Sequence, residues 1–140
     1  MNSQHFQPLP IYTVSQVLTA LDVPWAIAGG EALDLFLGKK TRPHADIDVL
    51  ILRKDQRVLQ EHLSQWDLQA ADPPGTLRKW KSGETLPENV HVIWARKDPL
   101  KAWQIEFMLQ NTDGEQWTYR RNPKIRGPLA ELFLKTNDGI

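Results

Sequence analysis

Two carboxylates separated by one residue, Asp46 and Asp48, begin an apolar run that ends at Leu52. The run predicts a buried strand, and because side chains alternate along a strand, both carboxylates leave from one face. Two anions held this close repel each other, so burying them without a cation raises a pKa or costs on the order of several kcal/mol. An oxygen-only ligand set favours Mg2+ or Mn2+, and magnesium sites are commonly completed by substrate phosphates. The pair therefore indicates nucleotide chemistry.

A glycine pair, Gly29 and Gly30, lies between a short strand predicted at residues 25–28 and a predicted helix. Glycine lets the backbone approach a ligand closely, and the helix start offers N–H groups to phosphate. Alone, such a pair usually marks a tight turn without a ligand, and paired acids often cap turns. The two signals together call for one ligand, the metal-bound phosphates of a nucleoside triphosphate.

A third carboxylate, Glu106, lies in an apolar strand predicted at residues 103–110. An unpaired acid there would be costly, so Glu106 either pairs with arginine or lysine, or serves the site as a metal ligand or base. Arg42 and His44 occupy the loop that leads to Asp46. Both are candidates to bind the triphosphate, and a salt bridge for Arg42 and a loop-fixing hydrogen bond for His44 are the alternatives.

The elements that must position these residues alternate between helix and strand patterns. We expect a helix capped by Thr13 that includes Leu21 and ends before Pro24, a second helix from Gly29 to Gly38, and a third over residues 55–66. The apolar face of the third helix is predicted to contain Val58, Leu59, His62 and Leu63. The predicted strands cover residues 25–28, 46–52, 67–71, 89–96, 103–110, 116–120 and 132–136. Their order predicts an α+β fold, a mixed β-sheet with flanking helices and strand 46–52 in the middle of the sheet.

Composition limits the classes of function. The chain has 140 residues, 41% hydrophobic and 24% charged, and is expected to form a single domain over residues 1–140. Its formal net charge of zero argues against nucleic acid or an anionic membrane as partner. The lack of cysteine excludes disulfides, thiolate zinc sites and a cysteine nucleophile. Without a signal peptide or a long apolar run, we expect a cytoplasmic protein.

The segment at residues 28–49 resembles the nucleotidyltransferase superfamily, which shares the fold of DNA polymerase beta. The resemblance is carried by the glycine pair, by Arg42-Pro43-His44 and Asp46-Ile47-Asp48, and by Glu106 further along the chain. Within the superfamily, this segment and the tail at residues 117–129 are similar to the aminoglycoside-2''-adenylyltransferase-like and lincosamide nucleotidyltransferase group, and the likeness covers most of residues 24–139.

The resemblance implies the nucleotidyltransferase fold and a magnesium-dependent transfer of a nucleoside monophosphate to a hydroxyl of a small molecule. ATP is the expected donor, and an aminoglycoside-like antibiotic is one expected acceptor. Asp46 and Asp48 would bind magnesium, and Glu106 would take the position of the third carboxylate or act as base.

Relatives in this group continue past residue 139 into a helical segment on the acceptor side. We therefore expect either a shortened member or an acceptor pocket completed by another subunit, as in a homo-oligomer. Another hydroxylated metabolite, a protein side chain or an RNA end are competing acceptors, and a noncatalytic nucleotide-binding or protein-interaction module is the alternative function. A polycationic aminoglycoside would need further acids, for which the candidates are Asp72, Glu84, Glu88 and Asp113.

Overall fold

A computed structural model describes residues 6–28, 47–113, 116–119 and 122–128 of the chain. In these ranges the chain forms two α-helices, a 3-10 helix at Arg53–Asp55, and nine strands. The helices are α1 (Ile11–Leu18) and α2 (Gln56–His62), and the strands are β1 (Trp25–Ala28), β2 (Asp48–Leu52), β3 (Asp67–Ala71), β4 (Leu77–Lys79), β5 (Val92–Arg96), β6 (Ile105–Gln110), β7 (Thr112–Asp113), β8 (Gln116–Tyr119) and β9 (Asn122–Pro128).

Six of these strands form one mixed sheet in the order β1-β2-β6-β5-β3-β4. Strand β2 pairs in parallel with β6, and the other neighbouring pairs are antiparallel. A separate antiparallel sheet has the order β7-β8-β9. The predicted α+β class with a mixed sheet is thus confirmed, and it is compatible with the nucleotidyltransferase fold. Strand β2 lies second from one edge of the described sheet, so the prediction that it occupies the middle is only approximate.

One face of the six-stranded sheet forms the hydrophobic core. Alternate residues of the strands are fully buried there, as strand geometry requires; they include Val49, Ile51, Ile93, Ile105 and Phe107. Val14 and Leu18 of α1 and Leu59 of α2 belong to the same apolar cluster. The opposite faces of β2, β5 and β6 are less buried, and Asp48 and Glu106 lie on this second face.

Helix α1 begins earlier than its sequence predicts. Its first residue is Ile11, and the carbonyl of Pro10 accepts the N–H of Val14 at 3.0 Å. The prediction of Thr13 as the cap is therefore wrong, because Thr13 lies within the first turn. Proline fixes φ before the helix starts and so sets the boundary without a side-chain cap. Neither α1 nor α2, the two described helices, is long and apolar enough to span a membrane.

Two buried glutamines occupy part of the face of α2 that the sequence predicts to be apolar. Gln56 and Gln60 of α2 are 3% and 7% exposed, whereas Val58 is 39% exposed. The Gln56 side-chain amide accepts the N–H of Leu86 at 2.7 Å, and the Gln60 amide accepts the N–H of Gly83 at 3.0 Å. The placement of Val58 on the buried face was wrong because these amides satisfy the backbone of the 81–86 loop, which an aliphatic side chain cannot do.

The strand predictions succeed most closely where the apolar pattern is short. Strands β1 and β3 have the predicted bounds, whereas β5 and β6 begin three and two residues after their predicted starts. The sequence pattern did not predict β4, β7 or β9. The helix predicted over residues 29–38 and the strand predicted over residues 132–136 lie outside the described residues.

An arginine joins two acids around the β3–β4 hairpin. Arg78 donates to Asp72 at 2.9 Å through Nε, and to both carboxylate oxygens of Glu84 at 3.1 and 2.9 Å. These hydrogen bonds favour the charged carboxylate and hold the pKa of Glu84 below its usual value of 4.5. We therefore expect the hairpin to lose stability in acid.

Replacing Glu84 by glutamine should reduce the loss of stability between neutral pH and pH 3. Because the folded-state pKa of Glu84 is the lower one, its charge stabilises the fold above the unfolded-state pKa and ceases to do so as pH falls through the folded value. The pair is partly exposed, so we expect an effect of about 0.5–1 kcal/mol. Urea unfolding at pH 7 and pH 3 measures it, with the exposed Glu61→Gln as matched control. An unchanged pH dependence in Glu84→Gln would contradict this role.

Candidate active site

Asp48 and Glu106 are direct neighbours across two parallel strands. Asp48 is the first residue of β2, and its Cα partner on β6 is Glu106. The pairing is anchored one residue earlier, where the N–H of Glu106 donates to the carbonyl of Ile47 at 2.9 Å. Neighbouring strands lie about 4.8 Å apart, so two registered side chains on one face are within reach of a common ligand.

Burial of the flanking residues fixes the face on which these two carboxylates lie. Val49 on β2, and Ile105 and Phe107 on β6, are 0% exposed and point into the core. Because side chains alternate, Asp48 and Glu106 leave from the opposite face, where both are half-buried. On the other side of Asp48, its antiparallel partner on β1 is Ala28.

One carboxylate oxygen of Asp48 is buried in the protein. Asp48 Oδ1 is buried and has no hydrogen-bond partner among the residues that the structure describes. A buried acceptor in this state is costly, and a cation is one way to satisfy it. The oxygen donors of Asp48 and Glu106 are those that a hard divalent cation such as Mg2+ prefers. The residues present therefore fit such an ion.

The described residues alone do not assemble a complete set of ligands. Within them, no cluster of three or more His, Cys, Asp or Glu side chains is arranged to hold a metal. Asp46, the remaining carboxylate predicted for the site, lies outside the described residues, as do Gly29, Gly30, Arg42 and His44. Of the predicted site residues, the structure thus brings Asp48 and Glu106 together and leaves the other five as sequence-based expectations.

Trp94 donates a hydrogen bond to Glu106. It lies opposite Glu106 in the antiparallel pairing of β5 with β6, and its indole Nε1 is 3.0 Å from Glu106 Oε1. Ile93 and Ala95 are 0% exposed on the core face, so Trp94 shares the second face with the carboxylates. A hydrogen bond to an ionised carboxylate is stronger than one between neutral groups and fixes the acceptor's orientation.

Aromatic rings hold Trp94 from two sides. Phe6 and Trp103 both make edge-to-face contacts with it, at ring-centroid distances of 5.0 and 5.8 Å. The Arg96 guanidinium carbon lies 3.9 Å from the centre of the Trp103 ring, and Arg96 Nε donates to Asp67 Oδ2 at 2.6 Å. A continuous series of contacts therefore runs from a buried ion pair to the Glu106 carboxylate.

The further acids proposed for a cationic acceptor are in part already neutralised. Asp72 and Glu84 are both paired with Arg78, so they are poor candidates for a free anionic pocket. The backbone carbonyl of Glu88 accepts a hydrogen bond from Arg53 at 3.3 Å. Asp113 is an exposed residue of β7. Among the described residues, none of these four acids joins Asp48 and Glu106 in a cluster that could hold a metal ion.

Sequence reasoning did not single out Trp94. It expected the six tryptophans to lie mostly in the core, with one exposed indole available to stack on a ligand. Of the five whose side chains are described, two are buried and three are half-buried, and none is exposed. Trp94 alternates with buried residues on β5, and this pattern indicates that it lies on the second face. Its pairing with Glu106 could be recognised only from the register of β5 and β6.

Comparison with protein-family models gives one match. Residues 10–79, half of the chain, match the family described as aminoglycoside-2''-adenylyltransferase. Searches of curated proteins and of solved structures returned no match. The matched stretch includes Asp48 but ends before Glu106, so the pairing of these two residues is a separate observation from the match.

Proposed function

Because the chain belongs to the aminoglycoside-2''-adenylyltransferase family, which is nucleotidyltransferase-like, we propose that it transfers a nucleoside monophosphate from a nucleoside triphosphate to a hydroxyl of a small molecule. The observation that carries this proposal is the direct register of Asp48 with Glu106, together with the unsatisfied, buried oxygen of Asp48. Two acidic side chains on one sheet face would form a site for a hard cation, and a structural ion pair at Asp48 would have satisfied its Oδ1.

Asp48 and Glu106 would hold a Mg2+ ion together with Asp46, the neighbouring carboxylate in sequence. When bound, magnesium supplies charge neutralisation and polarisation of the α-phosphate. As an alternative role, Glu106 would accept the proton of an acceptor hydroxyl and so act as the base. The buried oxygen of Asp48, Oδ1, would be available to the ion, because no donor among the described residues is bonded to it.

The phosphate-binding part of the site is proposed from the sequence. The N–H groups at Gly29 and Gly30 would bind the triphosphate at a helix start, with Arg42 and His44 adding side-chain contacts. We propose ATP as the donor and an aminoglycoside-like compound as one acceptor. The pairing of Asp72 and Glu84 with Arg78 reduces the acidity available for a polycation, so a less charged hydroxylated acceptor, including a lincosamide, belongs in the same test.

Titration calorimetry with ATP, GTP, CTP and UTP tests donor binding. We expect at least one nucleotide to bind in the presence of Mg2+, and EDTA or Asp48→Asn to abolish or strongly weaken this binding. Pyrophosphate release with a panel of aminoglycosides and lincosamides then tests transfer. Magnesium-dependent binding without release for any acceptor would favour a noncatalytic nucleotide-binding module. Absence of binding by all four nucleotides would overturn the proposal.

A further inference from the structure

We propose that Trp94 is a positioning residue that orients the Glu106 carboxylate toward Asp48. The inference deepens the proposed function and rests on it. Its basis is the hydrogen bond of 3.0 Å from the Trp94 indole to Glu106 Oε1, formed between residues that are directly paired across β5 and β6. On the other side of Glu106, the directly paired residue is Asp48. Glu106 is thus the middle member of a three-residue row across the sheet, with its orienting donor on one side and its partner carboxylate on the other.

A glutamate needs such a donor to act as a precise ligand. The terminal torsion of glutamate is broad, so an unrestrained carboxylate presents its oxygens over a range of directions. A charge-assisted hydrogen bond to one oxygen fixes the plane of the group. Removing the hydrogen-bond partner of a ligating carboxylate typically lowers metal affinity or activity by about 10–100-fold.

The indole itself is held in place by its neighbours. Edge-to-face contacts with Phe6 and Trp103 restrict rotation of the Trp94 ring on two sides. The N-terminal segment that contributes Phe6 is itself tied down, since the N–H of Gln7 donates to the carbonyl of Trp103 at 2.9 Å. Trp94 therefore reaches Glu106 from a preorganised position, which is what a positioning residue requires.

The substitution Trp94→Phe removes the donor and keeps an aromatic ring in the same contacts. We expect its affinity for Mn2+, measured by electron paramagnetic resonance in the presence of ATP, to fall about 10–100-fold. If an acceptor has been found, kcat should fall by a similar factor while the KM for the nucleotide changes little. Trp66→Phe is the matched control, because Trp66 is also half-buried but contacts Lys97 instead of Glu106.

A spectroscopic measurement separates orientation from general structural support. The indole N–H signals of the protein labelled with nitrogen-15 include one that disappears in Trp94→Phe and is thereby assigned. We expect Glu106→Gln to move this signal upfield in the metal-free protein, because the charged acceptor is lost. Mn2+ should broaden the same signal in the wild-type protein. A signal that is unmoved by Glu106→Gln would overturn the inference.

The variants distinguish failure of this inference from failure of the proposed function. If Asp48→Asn and Glu106→Gln lose Mn2+ while Trp94→Phe binds it as the wild type does, the positioning role is overturned and the proposed function stands. If the wild type and Asp48→Asn bind Mn2+ equally well, both are overturned. Loss of affinity in Trp94→Phe, with Trp66→Phe unaffected and an unchanged thermal midpoint, supports the positioning role.

Discussion

Replacement of Asp48 by asparagine should reduce nucleotidyl transfer by at least about 10³-fold, because a cation-holding carboxylate contributes several kcal/mol of transition-state stabilisation. The amide keeps the shape of the side chain and removes its charge. Strand β2 and its pairing with β6 are formed by backbone hydrogen bonds and by core residues on the other face, so the fold should be retained. Steady-state pyrophosphate release, with a nucleotide and acceptor identified beforehand, measures the effect.

The same variant should not lose stability, and this separates its effect from unfolding. Asp48 Oδ1 is buried without a hydrogen-bond partner in the described part of the chain, and Asp48 faces a second carboxylate at Glu106. Removing one of two like charges at directly paired positions relieves repulsion. We therefore expect a thermal midpoint equal to or above that of the wild type. Asp22→Asn, at an exposed position away from the sheet, is the matched control. Near wild-type turnover in Asp48→Asn would exclude Asp48 from the site.

Replacement of Arg96 by methionine should be the most destabilising single change to the described structure outside the apolar core. The Arg96 and Asp67 side chains are only 13% and 7% exposed and form an ion pair of 2.6 Å. Removing one partner leaves the other charge buried and uncompensated, which typically costs about 3–5 kcal/mol. Arg96 also donates to the carbonyl of Lys101 and packs on Trp103, so the 97–104 loop loses two of its contacts. Urea unfolding at pH 7 measures the change.

A double substitution tests whether the uncompensated charge causes this loss. Replacing a buried ion pair by apolar residues of similar size is often close to neutral, so Asp67→Leu combined with Arg96→Met should recover most of the stability. Arg78→Met is the matched control at a more exposed ion pair, where we expect a cost of about 1 kcal/mol or less. An Arg96→Met cost no larger than that of Arg78→Met would show that the Arg96 pair is dispensable.

Some of the architecture follows from local sequence alone. Strand-like local patterns predicted β1 and β3 with their observed bounds, and they predicted that Asp48 and Glu106 lie on strands. Such patterns are readable because residues that share a face of a strand are only two positions apart. The order of helix and strand patterns was also sufficient to predict a mixed sheet in an α+β fold.

Local patterns failed where a distant segment decided the outcome. Val58 was assigned to the core because it is apolar, yet the loop at residues 81–86 needs hydrogen-bonding partners, and Gln56 and Gln60 of α2 occupy the buried face to supply them. Short strands such as β4 carry too few residues for an alternating pattern and form only because β3 offers an edge. Thr13 was a reasonable cap by residue type, but Pro10 set the start of α1.

For the candidate site, the sequence by itself determined the chemistry available: acidic oxygens without cysteine, at spacings that favour a hard cation and phosphate. Only the tertiary structure decided that β2 and β6 are neighbours, that Asp48 and Glu106 share a register position, and that Trp94 completes the row on β5. The physical reason is that side-chain alternation is a property of each strand, whereas strand order and register depend on backbone hydrogen bonds and core packing between distant segments. A one-residue slip of β6 against β2 would have kept every residue type and turned the Glu106 carboxylate to the other face.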